Sequence, residues 1–409
     1  MSIAPYIRYL HLNGAGVRCD AVPTLRYTDV EVFTVQPDLI SLISALPNLE
    51  ALSHQMPIYG ALRLTAPYML ALMTSSIKHV ALRGILCSSE EVYRLQSEGD
   101  FSWPAETLII KVHWQIPHGH PDTIVPSVLI TSCSKTLTRL TLDSWSAMAF
   151  FTEPGNSFPA LHTVHLDPTP GRIPSPAPVI HGHPVLSTLY STIACRVESI
   201  PILRRYTSST YANGELLIDN LKRNSQLESI SILADDEEYF HDIFATKLIN
   251  TICQMPQLRS LSLEGEMSGG MCVDALQSIA SISTLQNLQL WGPLVWLELY
   301  ECMVSGNMQA LQWLSIGDDL AHEYDLDWTM MTFPPHVLER VRTYRTLFTA
   351  ELFAAALPSL QGCLFGAIPI EIINGKAHAL LARPCSEKEM NQLWDHSMTT
   401  TDTHLWHWD

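Results

Sequence analysis

The chain has 409 residues, 47% of them apolar and only 16% charged, a balance that supports a large core and excludes a mostly disordered chain. Its 24 Lys and Arg against 41 Asp and Glu leave a net charge of −17, which opposes a phosphate backbone and argues against nucleic-acid binding. No apolar run reaches the roughly 18 residues of a membrane span. The opening MSIAPYIRYLHLNG has no basic-then-apolar leader, and the nine Cys are scattered without a CxxC pair. These features lead to the expectation of a cytoplasmic protein with reduced thiols.

In chain order, one pattern recurs: L-x-x-L-x-L. It opens as IRYLHL at Ile7, is degenerate in YTDVEV (27–32), and continues as LEAL at Leu49, IKHVAL at Ile77 and AETLII at Ala105. LTRLTL at Leu137, LHTVHL at Leu161, VESIPI at Val197 and LESISI at Leu227 follow. The sharpest copies are LRSLSL at Leu258, LQNLQL at Leu285 and LQWLSI at Leu311, and LQGCLF at Leu360 is the last. From Leu227 to Leu258, Leu285 and Leu311 the steps are 31, 27 and 26 residues, at or just above the roughly 20–29 of a leucine-rich repeat.

In each copy the x-L-x-L core alternates, which predicts a short strand with Leu or Ile on one face and polar residues on the other. One such strand cannot bury its apolar face alone, but stacked copies share a core. Between them, ATKLINTICQM (245–255) and VDALQSIASI (273–282) carry apolar residues at three- and four-residue steps, the pattern of amphipathic helices. The expected fold is an α/β leucine-rich-repeat solenoid, a horseshoe with a parallel β-sheet on its concave face and helices on its convex face. It spans 1–373 with an insertion around 317–350, and 374–409 form a capping tail. A doubly wound α/β sheet would alternate strand and helix too, but its strands do not share a motif, and no Gly-rich phosphate loop follows any of these.

The copies PNLEAL, MPQLRSLSLEG, STLQNLQLWG and MQALQWLSIGDD resemble irregular leucine-rich repeats, and more closely those of fungal F-box-associated proteins. The opening IAPYIRYLHLNG and the late ALPSLQGCLFGAIPIEIING share that character. The resemblance implies a monomeric recognition scaffold that engages a protein or peptide on its concave face. The first copy begins at Ile7, so the expectation is a repeat array lacking the F-box that recruits a ligase adaptor.

The register makes the concave face explicit. Arg83, Lys111, Asp143 and Asp167 form a predicted row with His165 diagonal to Asp143, an arrangement open to two readings: a charge ladder, or a general base at His165 flanked by Asp143 and Asp167. Arg139, Glu264, Asn287, Gln289, Trp291 and Trp313 are predicted ligand contacts, because exposed aromatics rimmed by polar groups mark binding sites. Apolar outward positions, read at Ile109, Leu203 and Leu364, point instead to a small apolar ligand in a pocket near Trp291 and Trp313. A cofactor-free cyclase would fit there, working by shape and hydrogen bonding.

No GxSxG, HExxH, P-loop or terpene-synthase metal motif is present, and neither a metal nor a cofactor is implied. Two HGHP stretches, at 118–121 and 181–184, read as polar loop tips on one rim; His-x-His without a neighbouring carboxylate or thiolate is weak as a metal signal.

Overall fold

The computed structural model describes residues 6–14, 17–18, 31–57, 60–113, 124–142, 157–166, 179–181, 183–191, 195–209, 214–233, 242–264, 273–290, 296–306, 308–317, 335–365 and 368–380. The chain divides into two compact units, Met1–Leu203 and Arg204–Asp409. Both are mixed α/β, built on mostly parallel strands.

The first unit opens with β1 (Tyr9–Asn13), β2 (Val17–Arg18), β3 (Glu31–Thr34), α1 (Pro37–Ala45), β4 (Ala51–Gln55), β5 (Gly60–Arg63) and α2 (Ala66–Met73). It continues with β6 (His79–Leu86), α3 (Ser89–Gln96), β7 (Thr107–Val112), α4 (Ser127–Ser132), β8 (Arg139–Leu142) and β9 (Thr163–Leu166). β10 (Val179–Ile180), β11 (Thr188–Ser191) and β12 (Arg196–Val197) complete it. β1, β4, β6, β7, β8, β9 and β11 pair in that order, each parallel to the next.

A side branch leaves β6 at its end, where Ile85 and Leu86 pair with β5; β3 lies parallel to β5, and β2 antiparallel to β3. Parallel neighbours need a crossover rather than a tight turn, which is why helices fall between them. Pro37 and Pro67 open α1 and α2 at positions where the missing N–H costs nothing. The Glu91 carboxylate of α3 accepts a 2.6 Å hydrogen bond from the Ala66 N–H, so it caps a helix that has no side-chain cap of its own.

The second unit alternates without a branch: β13 (Arg205–Ser209), α5 (Gly214–Arg223), β14 (Ser229–Leu233), α6 (Asp242–Cys253), β15 (Ser260–Glu264), α7 (Val273–Ala280) and β16 (Asn287–Leu290). Then come α8 (Trp296–Ser305), β17 (Trp313–Ile316), α9 (Pro335–Ala356) and β18 (Gly362–Phe365). β13 to β18 are parallel in sequence order, and β18 meets the antiparallel hairpin of β19 (Ile368–Ile373) and β20 (Lys376–Ala379). Successive helices pack on one another as a second layer. The stretches 245–255 and 273–282 lie largely within α6 and α7, as their periodicity predicts. No helix among the described residues is long and apolar enough to cross a membrane.

The repeated leucines are the core. The middle slot of the motif (Leu52, Val80, Leu108, Leu140, Val164 and Leu189) is at most 1% exposed throughout the first unit. In the second, Leu261, Leu288 and Leu314 fill it to the same degree. Each buried side chain of this size contributes roughly 1.5–3 kcal/mol. Tyr300, Phe353 and Phe365 carry the second core from α8 through α9 to β18, with ring centroids 5.3 and 5.7 Å apart.

Three sequence readings change. VESIPI is not a ladder strand: Val197 lies in the separate β10–β12 pair. The ladder strands of that region are β11 and β13, whose copies LSTLYS and LRRYTS carry Ser191, Tyr206 and Ser208 in apolar slots. The pattern passes over them for that reason, and Ser191 and Tyr206 are chemically matched. The Ser191 hydroxyl lies 3.3 Å from the Cys195 thiol, and the Tyr206 hydroxyl accepts a 3.3 Å hydrogen bond from the Asn220 amide. Leu203, read as outward, is a core anchor at 0% exposure, one residue ahead of Arg204, whose carbonyl accepts from Glu228 and Ser229.

Gly306 follows α8 where the helix end meets the end of α7. A Cβ there would stand 2.5 Å from the Ala280 carbonyl oxygen, a contact the backbone cannot yield cheaply. Gly306→Ala is therefore expected to destabilise the chain by about 1–3 kcal/mol, seen as a lower denaturation midpoint in urea with an unchanged slope; an unchanged midpoint would mean the two helix ends part easily.

Candidate functional site

The strand faces opposite the leucine slots carry the polar residues, in rows set by register. In the first unit one row reads Ala51, His79, Thr107, Arg139, Thr163 and Thr188 from β4 to β11. His79, Arg139, Thr163 and Thr188 are partly exposed. The second row holds Ser53, Ala81, Ile109, Thr141, His165 and Tyr190, and its first four members are buried. A third row, at the strand ends, is Asn13, Gln55, Arg83 and Lys111.

The predicted site residues fall into one group per unit. Arg139 lies between Thr107 and Thr163, and His165 between Thr141 and Tyr190. The His165 and Tyr190 rings are tilted against each other with centroids 3.8 Å apart. Tyr190 is a neighbour the sequence pattern missed, because its copy ends in Ser rather than Leu. Asp143 and Asp167, the proposed carboxylate partners of His165, lie outside the described residues. Beside this group, His79 Nδ1 is 3.1 Å from the Thr107 hydroxyl. Burial pulls the His79 pKa below the ordinary histidine value, against the opposing pull of Glu106.

In the second unit Asn287 sits between Ser260 and Trp313, and Gln289 between Ser262 and Ser315. Ser262, Gln289 and Ser315 are each 1% exposed, so this polar row is covered. The Ser262 and Ser315 hydroxyls are buried with no hydrogen-bond partner among the described residues. Trp313 is partly exposed rather than freely projecting, and its indole lies over Gly362 so closely that a Cβ there would overlap the ring. Leu364, an outward apolar position, is 9% exposed. Trp291 lies outside the described residues, as does the side chain of Glu264, whose backbone in β15 pairs with Leu233.

Three further histidines lie outside these rows. His54 occupies an apolar slot of β4 at 0% exposure and meets the buried Tyr68 hydroxyl at 3.1 Å, a polar pair wholly inside the core. The first HGHP stretch lies outside the described residues, but the second shows two fates. His181 pairs with Glu198 at 3.2 Å, whereas His183 is buried against Phe158, ring centroids 5.6 Å apart. His183 is thus a packing residue rather than a polar loop tip, and burial, then the neighbouring His181, lowers its pKa. Among the described residues no group of three or more His, Cys, Asp or Glu is placed to hold a metal ion.

No protein-family model matches the chain, and no curated protein sequence matches it. Among solved structures it is similar to a chain of the Toll–Spatzle complex, described as a molecular hub in Drosophila development and innate immunity. The TM-score is 0.31 at 15% identity, over 72% of this chain and 36% of that one.

His79 and His183 both have folded pKa values below the ordinary one, so in acid the unfolded chain binds protons that the folded chain resists. Folding stability is full above about pH 6.5 and falls as pH drops through that value toward the lowered folded pKa. Urea unfolding at pH 8 and pH 5 measures this loss, and His183→Gln is expected to reduce it; an identical loss in the variant would assign the effect to other groups.

Proposed function

We propose that the chain is a cytoplasmic leucine-rich-repeat recognition scaffold, F-box-LRR-like in its repeats, that binds a protein or peptide on the outward face of its strands. The observation that carries this reading is the row His79, Arg139, Thr163 and Thr188: polar, partly exposed side chains at the roughly 4.8 Å pitch of adjacent strands. Hydrogen bonding between strands and a dry leucine layer behind them hold that row rigid, and a preordered surface loses little entropy on binding. Arg139 and His165 supply the hydrogen-bonding and stacking groups that anchor interfaces. The six described cysteines are free thiols, five of them buried, which supports a reducing compartment.

A photo-crosslinking residue placed at Thr163 or Thr188, in cells that make the protein, is expected to capture one protein partner. The same residue at Tyr93, exposed on α3, is the control and captures none. Thr163→Trp should weaken the reconstituted complex at least tenfold without moving the thermal midpoint. Equal capture from Tyr93 and the strand positions would sink the reading.

A second reading has its own support. The covered hydroxyls of Ser262 and Ser315, beside Gln289, Asn287 and Trp313, favour a small, mostly apolar molecule held by a few hydrogen bonds in the second unit. Native mass spectrometry of the protein purified from its source cells decides it: a co-purifying small molecule that disappears in Ser262→Val and Ser315→Val supports this reading, and a bare chain mass removes it.

A further inference from the structure

One outward row of the second unit changes character along its length. It runs in register from Ser231 on β14 through Ser262 on β15, Gln289 on β16 and Ser315 on β17 to Leu364 on β18. Ser231 is partly exposed, the three polar residues after it are each 1% exposed, and Leu364 ends the row at 9%. The row therefore passes from a half-open hydroxyl, through a buried polar stretch, to an apolar end. Trp313 adds to that end. It precedes Ser315 by two residues on the same strand face, and its indole lies over Gly362, two residues ahead of Leu364.

A buried hydroxyl without a partner loses the hydrogen bonds that water gave it in the unfolded chain. Ser262 and Ser315 both carry that cost, since neither hydroxyl has a hydrogen-bond partner among the described residues. His54 and Ser191, buried polar residues of the first unit, are by contrast matched to Tyr68 and Cys195. Alanine at position 262 or 315 would keep the strand and remove the loss.

Spacing and charge narrow what could satisfy the two serines. They stand on second-neighbour strands, so about 10 Å separates them across the sheet, with Gln289 midway. A single water, whose hydrogen bonds are about 2.8 Å long, cannot reach both. Ser262, Gln289 and Ser315 are neutral, as are Asn287 and Trp313 on the adjoining row. An ion held among them would surrender its water for uncharged groups, a transfer that is strongly unfavourable.

We propose that this row binds an elongated, neutral, mostly apolar molecule with an oxygen function at each end, one for the Ser262 hydroxyl and one for the Ser315 hydroxyl. Each serine can donate to a ligand carbonyl or hydroxyl and accept from a hydroxyl. The span suits two joined aromatic rings lying across β16, with Trp313 and Leu364 as the apolar wall at the Ser315 end. The inference rests on the second reading above and adds the ligand's length, neutrality and two-ended polarity to it.

The test uses the full chain in isothermal titration calorimetry. It compares p,p′-biphenol, two joined rings with a hydroxyl at each end, with p-phenylphenol, the same rings with one hydroxyl. The wild type is expected to prefer p,p′-biphenol about tenfold, the worth of one hydrogen bond to a group otherwise left unmatched. Ser262→Ala and Ser315→Ala are each expected to erase that preference, and Ser305→Ala, on α8, to keep it. Both strand variants are also expected to raise the thermal midpoint of the free protein, because each removes an unmatched hydroxyl. A midpoint that is unchanged or lower in either variant means that its hydroxyl is already satisfied, as by an internal water, and overturns the proposal. No binding of p,p′-biphenol, or equal affinity for the two probes, overturns it as well. A co-purifying molecule that is charged or has a single oxygen would remove this ligand class while leaving the second reading in place; a bare chain mass removes both.

Discussion

Lateral register is the constraint on which the rest of the molecule depends. Each parallel strand is only four to eight residues long in the ladders, too short to bury an apolar face by itself. It becomes stable because its neighbour presents leucine or isoleucine at the same height. Leu52, Val80, Leu108, Leu140, Val164 and Leu189 share one layer, and Leu82, Ile110, Leu142 and Leu166 the next. Once these layers align, the backbone hydrogen bonds, the helices behind and the polar rows in front all follow. A slip of one residue would send every one of these leucines to water.

The exceptions inside the layers are informative because burial leaves no room for an unmatched polar group. His54, Ser191 and Tyr206 replace an aliphatic residue in the slot, and each meets a specific partner: Tyr68, Cys195 and Asn220. A buried polar group without such a partner costs about 1–3 kcal/mol. Substitution in the core therefore came in pairs drawn from a strand and the element behind it. On the outward face the same rule points elsewhere. Ser262 and Ser315 are buried with no hydrogen-bond partner among the described residues, and that imbalance is the physical basis for the second reading proposed for this unit's face.

Charge follows position along the strand. Exposed pairs such as Lys78–Glu106 contribute little individually, but the alternation from Arg8 to Glu106 keeps the N-terminal ends of four strands locally neutral. At the C-terminal ends Arg83 stands opposite Lys111, and the register breaks just beyond them at Gly84.

The amino-acid sequence by itself determined the repeat: spaced leucines dictate strands of a given phase, and the helical periodicity at 245–255 and 273–282 dictates the elements between them. Within the strands it read correctly it also determined which face each residue takes, because alternation along a strand is a local property, whereas Leu203, outside them, was placed on the wrong side. The branch through β5 and the strands β11 and β13 were not legible, since Gly60, Ala61, Ser191 and Ser208 weaken the apolar signal and only tertiary partners compensate. What the tertiary structure decided was adjacency. His165 came to lie against Tyr190, Trp313 over Gly362, and Arg83 opposite Lys111. Residues some 25 to 50 positions apart meet at the lateral strand spacing of about 4.8 Å only after the connections between strands close, and no local pattern records how long each connection runs.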